Sequence, residues 1–566
     1  MTRLLRTYCL AIIVLFLSAA TLPAQEQEEV LRFQKAFARL DEFIAQHMRE
    51  ANVPGMAVAL TSRTGLLRVS TYGFADITAR SPVTPETLFE IGSISKSFTC
   101  IALLQQREAG KFDPHAPLTR YLPWFHVNSK FPAPITAHYL MSHTAGIPRD
   151  RDDIPTSRYQ AAALRERETA FPPGAHFVYS NVGYQVLGYL VEELTGQTYA
   201  DYIRTQILDP LGMTATQPVI THETRKRLAV GYERFYDDRP SHPSQPLVPA
   251  TWFEYGAGDG SIATTPAELA AYLRMLLNRG QSLTGRIVSE ESFNLMTQRV
   301  IKAGEDAFYG YGLRLSESDG HTIISHGGGM VGYQAMLVGD LDAGLGAVVF
   351  INGPGNSGRV AEFALKVLRA ALYNQDLPSL PPTESPTRVE NAADYAGTYT
   401  AGEKTITLVA EGTRLLLVHN GERIALERRG KDRFYVHHPD FNLFLLRFGR
   451  KGEAVVEAFH GPDWYVNARY AGPTNFDYPK EWQAYPGHYR TAHPWFSNFR
   501  IVLRKGALWL IHPEGGEQAV VPLGEGVFRV GNEDYSPERL RFDTIINDQA
   551  LRANLSGCNY YRTLTR

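Results

Sequence analysis

The sequence predicts an α+β domain followed by antiparallel β modules. Three observations support that class. Between about residues 28 and 375, helical and strand patterns mix without the regular alternation of a parallel α/β sheet. Pro378, Pro381, Pro382 and Pro386, interleaved with polar residues, then mark a linker over 376–390. The remainder alternates apolar and polar residues in short runs and repeats itself, which gives one β module over 391–474 and a second over 482–566.

The 566 residues exceed one ordinary domain, and a net charge of −2 offers no basic field for nucleic-acid phosphates. Arg3 and Arg6 precede the apolar run Leu10 to Leu17, and Ser18-Ala19-Ala20 and Leu22-Pro23-Ala24 offer small-residue cleavage sites. Residues 1–24 therefore read as a secretory signal peptide, which makes the mature protein secreted or periplasmic, with no stable membrane insertion. Cys9 leaves with that segment and lacks a lipobox-like context. Cys100 and Cys558 fall in different domains and read as free buried thiols. No Cys/His cluster has zinc spacing, and His437-His438 reads as a strand-end pair, so no metal or other cofactor is expected.

Taken in order, Phe33, Phe37, Leu40 and Ile44 lie at helical spacing within Val30 to Met48, an amphipathic helix. Pro54-Gly55 leads into a hairpin, with strands at Met56 to Leu60 and Leu66 to Tyr72 and a turn at Arg63-Thr64-Gly65. A short apolar run turns at Gly92, and Ser93 opens a helix that carries Phe98, Ile101, Ala102 and Gln105 and stops at Gly110. Ile135 to Ile147 reads as a short helix closed by a Gly turn, with His143 and Thr144 capping it rather than lining a site. Phe171-Pro172-Pro173-Gly174 is a turn, and Tyr179 and Asn181 follow in a strand-to-helix turn before a helix over about 184–194. A Gly-rich run over 256–265 leads through Pro266 into a helix ending at Leu277. Thr322 to Ser325 reads as a strand entering the glycine loop His326-Gly327-Gly328-Gly329, where backbone could approach a ligand closely. Tyr333 to Val338 and Leu345 to Ile351 are further strands, and Ala361 to Tyr373 is a closing helix. In the tail, Tyr395-Ala396-Gly397-Thr398-Tyr399 matches Tyr485-Pro486-Gly487-His488-Tyr489 at an offset of 90, and Leu446-Arg447-Phe448 matches Leu540-Arg541-Phe542 at 94. Two small domains and one joint barrel both fit that repeat.

The chemistry centres on Ser93 and Lys96, one helical turn apart on one face. A neutral lysine can take the proton of a serine that is otherwise too weak an acid to attack a carbonyl. Free N–H groups at the helix start favour a developing anion beside Ser93. S-x-x-K by itself is common on solvated helices, and Y-x-N carries little weight alone. Their combination decides the matter.

Ser93-Ile94-Ser95-Lys96, Tyr179-Ser180-Asn181 and His326-Gly327-Gly328, in this order and at these separations, resemble the serine β-lactamase class C and penicillin-binding-protein-like (S12 peptidase-type) superfamily. The resemblance covers roughly residues 30–375 and includes Gly73-Phe74-Ala75-Asp76, the segment from His143 to Ile147 and the Gly-rich run before Pro266. It implies a β-lactamase/transpeptidase-like fold, an antiparallel sheet flanked by helices plus a helical subdomain, with the active site between them. It further implies that Ser93 forms an acyl-enzyme and that Lys96 and Tyr179 share general-base and general-acid work. Lys96 is then the cation that would lower the Tyr179 pKa. Asn181 would hold the substrate amide or the lysine, and His326 and Gly328 would border the substrate. The backbone N–H groups of Ser93 and Gly329 would form the oxyanion hole.

His326 departs from the lysine of the β-lactamase K-T-G, and histidine is only partly charged near pH 7. Members with H-x-G resemble esterases and D-amino-acid peptidases more than efficient β-lactamases. The sequence therefore predicts an exported serine acyl hydrolase acting on a small-molecule or peptide amide or ester, including carboxypeptidase-like use of cell-wall stem peptides. The alternatives are a β-lactamase and a penicillin-binding sensor or scaffold that stays acylated. An α/β-hydrolase reading of His326-Gly327-Gly328-Gly329 fails because no G-x-S-x-G elbow is present. The tail modules resemble β-barrel extensions of peptidase-like members, where gating, oligomer contact and plain support are the candidate roles.

Overall fold

The computed structural model describes residues 24–149, 157–383 and 385–564. Apart from Ala24, the segment 1–24 read as a signal peptide, with Cys9, lies outside the described residues. No helix among the described residues is long and apolar enough to cross a membrane.

The first domain is built on one nine-stranded antiparallel sheet. A long helix α1 (Ala24–Ala51) precedes β1 (Gly55–Ser62), β2 (Leu66–Asp76) and β3 (Ser81–Pro82). The chain then leaves the sheet to make α2 (Ser95–Glu108), α3 (Asn181–Thr195) and α4 (Pro266–Leu277) with shorter helical turns between them. It returns as β4 (Ile301–Lys302), β5 (Ala307–Tyr309), β6 (Arg314–Ser318), β7 (His321–Met330), β8 (Tyr333–Asp340) and β9 (Leu345–Ile351), and closes with α5 (Ser357–Leu372). The strand order is β3-β2-β1-β9-β8-β7-β6-β5-β4, so the first hairpin pairs with the last strand, Met56 opposite Ile351.

Burial on both faces explains the apolar runs of the central strands. Met56, Val58 and Leu60 pack with α1 and α5, while Ala57 and Ala59 face the opposite core with α2 and α4. Gly346 of β9 admits α4, because a Cβ there would stand 2.5 Å from Leu273. Helix α2 is buried almost all round, from Ser95 to Leu104, between the sheet and the helical layer.

Two local readings change. The glycines 327–329 do not form a loop after a strand; they lie inside β7, paired with Met336, Ala335 and Gln334 of β8. Their missing side chains let another segment dock on the strand. Residues 177–180 form no strand; they run as an extended loop into α3, whose first turn is capped by the Ser180 hydroxyl accepting from the Gly183 N–H.

The tail consists of two separate closed barrels, each of eight strands, spanning Gly397–Val466 and Gly487–Arg562 by their first and last strand residues. The repeated Tyr-x-Gly-x-Tyr motif has one physical job in both. The second tyrosine donates its hydroxyl to the carbonyl of the first residue, Tyr399 to Tyr395 at 2.9 Å and Tyr489 to Tyr485 at 2.7 Å. That bond satisfies a fully buried ring in the core of each barrel. Cys100 and Cys558 are both free and buried.

Candidate active site

Ser93 sits in a single 3₁₀ turn, Gly92–Ile94, immediately before α2. The turn is held by contact with β7. Gly92 has φ of +48°, and a Cβ on it would lie 2.5 Å from the Gly329 carbonyl oxygen. A Cβ on Gly328 would meet the Ile91 carbonyl oxygen at 1.8 Å. Gly329 has nothing within 4 Å on its Cβ side and lines the cleft. Gly328→Ala is therefore expected to push the strand off the serine turn and lower stability by about 1–3 kcal/mol. Gly329→Ala should leave the denaturation midpoint near wild type while reducing turnover. Parallel urea melts and rate measurements on the two variants check this; equal stabilities would contradict it.

Lys96 is fully buried, and its Nζ reaches Ser93 Oγ at 3.0 Å, Asn181 Oδ1 at 2.7 Å and the Asp259 carbonyl at 2.8 Å. As an ammonium it spends all three N–H groups on these acceptors. As a neutral amine it keeps two for Asn181 and Asp259 and turns its lone pair to the serine. Four segments converge here: the 3₁₀ turn supplies Ser93, α2 supplies Lys96, the first residue of α3 supplies Asn181, and the Gly-rich run supplies the Asp259 backbone.

Tyr179 lies beside this group, with Lys96 Nζ 5.0 Å from its ring centroid. The Arg149 guanidinium is a second cation, 5.8 Å from the same ring. His143 positions the tyrosine from behind. It adopts φ of +59°, its carbonyl accepts from the Val178 N–H at 2.9 Å, and its Nδ1 accepts from the Ser180 N–H at 3.0 Å. Its ring packs on Tyr179 with centroids 4.2 Å apart. With Nδ1 accepting, Nε2 carries the proton; burial and the nearby Lys96 charge hold His143 well below its usual pKa, hence neutral. The turn-fixing place expected for His143 thus also fixes Tyr179.

His326 differs from its expected place and charge. It is buried at 5 % exposure, its Nδ1–H donates to the Gly327 carbonyl at 2.6 Å, and its Nε2 accepts from the Tyr309 hydroxyl at 2.8 Å. Burial, then the Lys96 charge, pushes its pKa down to about 3, so it is neutral at pH 7 rather than partly charged. Neither His326 nor Gly328 lines the cleft; Ser93, Tyr179, Asn181 and Gly329 do. His326 orients Tyr309 and the strand, and Gly328 admits the serine turn.

An unfolded chain protonates His326 near 6.5, whereas the folded protein does so only near 3. Stability is fully present above about pH 6.5 and falls as pH drops toward 3, by up to about 1.4 kcal/mol per pH unit for this residue. Thermal midpoints at pH 7.0 and 5.5 should fall more for wild type than for His326→Gln; identical slopes would refute it.

The cleft encloses about 870 Å³, and the second barrel forms one of its walls. The segment Thr491 to Phe496, with His512, Glu538 and Tyr560, faces Ser93 across it. Glu538 accepts from the Arg149 N–H at 3.0 Å, Tyr535 stacks flat on His176 at 3.9 Å, and Trp495 meets Phe253 at 6.0 Å. Arg149, Tyr309, Asp259 and these barrel residues were not singled out from the sequence. Arg149 stands two residues beyond the His143–Ile147 segment, the one local signal for it; nothing local points to the barrel wall.

Comparison with known proteins gives three findings. The family model described as "Beta-lactamase" matches residues 40–371. The chain is similar to "Penicillin-binding protein 4*" of Bacillus subtilis (strain 168), 25% identical over 66% of this chain and 84% of that protein, and to a "D-aminopeptidase" of Brucella canis, 26% identical over 73% and 80%. Among solved structures it is similar to an octameric penicillin-binding protein homologue from Pyrococcus abyssi, with a TM-score of 0.56, 25% identity and coverage of 76% of this chain and 100% of that one.

Proposed function

This chain belongs to the Beta-lactamase family, and on that premise we propose that it is an exported serine acyl hydrolase that cleaves a small amide or ester carrying a free amine, in the manner of an aminopeptidase. The observation that carries the reading is the three-way contact of buried Lys96 with Ser93 Oγ, Asn181 and the Asp259 carbonyl. Ser93 Oγ attacks the substrate carbonyl and passes its proton to Lys96 and Tyr179 acting together. The backbone N–H groups of Ser93 and Gly329 hold the oxyanion. Collapse expels the amine or alcohol, which takes the proton back, and water then releases the acyl group from Ser93.

The charges around the cleft support the substrate class. Glu254, Asp259 and Glu538 line it; among the described lining residues Arg149 is the one arginine or lysine, with Lys96 Nζ behind Ser93. His493, pushed to about 4 by burial, and His512, also lowered by burial, add no positive charge at pH 7. With His326 neutral as well, the site suits an ammonium better than the carboxylate of a β-lactam or a peptide C-terminus. The D-aminopeptidase relatives fit the same class.

A substrate panel tests this. D-alanine p-nitroanilide should be hydrolysed, and its N-acetyl derivative at least about tenfold more slowly, equivalent to 1.4 kcal/mol of lost recognition. Equal rates would favour an esterase-like site without amine recognition. Rapid cephalosporin turnover would establish a β-lactamase instead, and a penicillin adduct that persists for hours would establish a sensor. Export rests on Arg3, Arg6 and the apolar run from Leu10 to Leu17; recovery of the full-length chain with its leader intact in the cytoplasm would refute it.

A further inference from the structure

The loop between the short strands Tyr232–Arg234 and Leu247–Pro249 of the first domain reaches both barrels. Asp237 pairs with Arg490 of the second barrel at 2.5 Å, and Arg239 donates to Asn442 of the first at 3.3 Å. At the first-barrel contact stands His242. Its ring lies flat on Tyr435, with centroids 5.0 Å apart and planes at 12°. Its Nε2 faces the Glu427 carboxyl at 3.1 and 3.3 Å, and its Nδ1 faces Ser244 Oγ at 2.6 Å.

Barrel register brings the third group. Glu427 on the strand Glu422–Gly430 is opposite Tyr435 on Arg433–Val436, so His437, two residues further on, shares their face. One ligand atom each from His242, Glu427 and His437 lie within 4.8 Å of one another. Two imidazoles and a carboxylate are a zinc donor set; bonds of about 2.0–2.2 Å would place such ligands about 3.3–3.5 Å apart. Rotamer shifts of about an ångström would close the three groups around an ion.

We propose that His242, Glu427 and His437 form a zinc-type metal site that clamps the first barrel to the hydrolase domain. Without the ion, His242 Nδ1 accepts from the Ser244 N–H at 3.2 Å and Nε2 carries the proton toward Glu427; binding at Nε2 moves that proton to Nδ1, where Ser244 Oγ accepts it as the Ser244 N–H gives way. A solvent molecule completes the fourth position, on the open side of His437. Arg429, 3.5 Å from Glu427 Oε2, competes with the ion and must swing away. The clamp also bears on the cleft, since the chain runs from this loop through Leu247–Pro249 to Thr251 and Phe253 in its wall.

His438, on the other face, groups with His419 and Asp440, but its Nδ1 already accepts from the Asp440 N–H at 3.2 Å and Asp440 is 59% exposed. That pair of neighbouring histidines makes the test specific. The full chain, stripped with a chelator and titrated with zinc chloride, should bind one equivalent by mass analysis and calorimetry. His437→Ala and His242→Ala should each lose that equivalent, His438→Ala should keep it, Ser244→Ala should weaken it about 10- to 100-fold, and Arg429→Gln should tighten it. Zinc should also slow proteolysis at the 376–390 linker in wild type and not in His242→Ala. No binding by wild type, or loss in His438→Ala with retention in His437→Ala, overturns the site. Retention in His242→Ala overturns the clamp.

Discussion

Ser93→Ala is expected to abolish turnover while leaving the protein folded. Ser93 is half-buried at the cleft floor, and its hydroxyl occupies one of the three N–H groups of Lys96. Removing the oxygen frees that N–H toward a cavity of about 870 Å³, where water can take it. Stability should therefore move by no more than about 0.5 kcal/mol. Turnover of the amide substrate should fall by about 10⁴-fold or more, leaving only binding and oxyanion stabilisation. Mass spectrometry after fluorophosphonate treatment supplies an independent readout: one adduct on wild type and none on Ser93→Ala. An adduct that survives in the variant would move the nucleophile to another residue, and residual activity within tenfold of wild type would remove Ser93 from the mechanism.

Lys96→Met should separate base chemistry from packing. Methionine is close to lysine in length and apolar, so it fills most of the buried space and lacks the three N–H groups. Lys96→Ala, by contrast, empties a fully buried position and removes the Nζ donor from both Asn181 Oδ1 and the Asp259 carbonyl. The alanine variant is expected to lose about 2–5 kcal/mol, and the methionine variant less. Both should lose about 10²–10⁴-fold in the acylation rate, the usual worth of a positioned general base. Fluorophosphonate labelling should slow by the same order in the two variants, although their denaturation midpoints differ. If labelling follows stability instead, falling in Lys96→Ala and not in Lys96→Met, Lys96 is a packing residue and Tyr179 carries the proton alone.

Much of the hydrolase domain was legible because its signals are local. The helix at the N-terminus announces itself through Phe33, Phe37, Leu40 and Ile44, which face α5 across one core. The S-x-x-K pair needs one helical turn to bring its groups together, and the backbone guarantees that turn. The barrel repeat was readable because each copy must close the same tyrosine bond, so residues 395–399 and 485–489 kept the same pattern. Glycines at 327–329 were misread as a loop because a run of glycine is locally a loop signal. Only β8 on one side and the serine turn on the other make that stretch a strand.

His326 marks the boundary between the two kinds of information. Its identity set it apart from the lysine of related sites, and that much follows from sequence alone. Its charge does not: a histidine takes its proton according to burial and neighbours, and those are supplied by Tyr309, Gly327 and Lys96 from three separate stretches. The same holds for the cleft. Sequence alone determined that Ser93 and Lys96 stand together at a helix start, and that the tail is duplicated. Tertiary structure decided that the second barrel walls the cleft, that Arg149 and His143 flank Tyr179, and that acidic side chains outnumber arginines and lysines among the described residues lining the cleft. Those outcomes depend on contacts between separate stretches, from His143 with Tyr179 to Arg149 with Glu538, and such contacts leave no trace in local spacing.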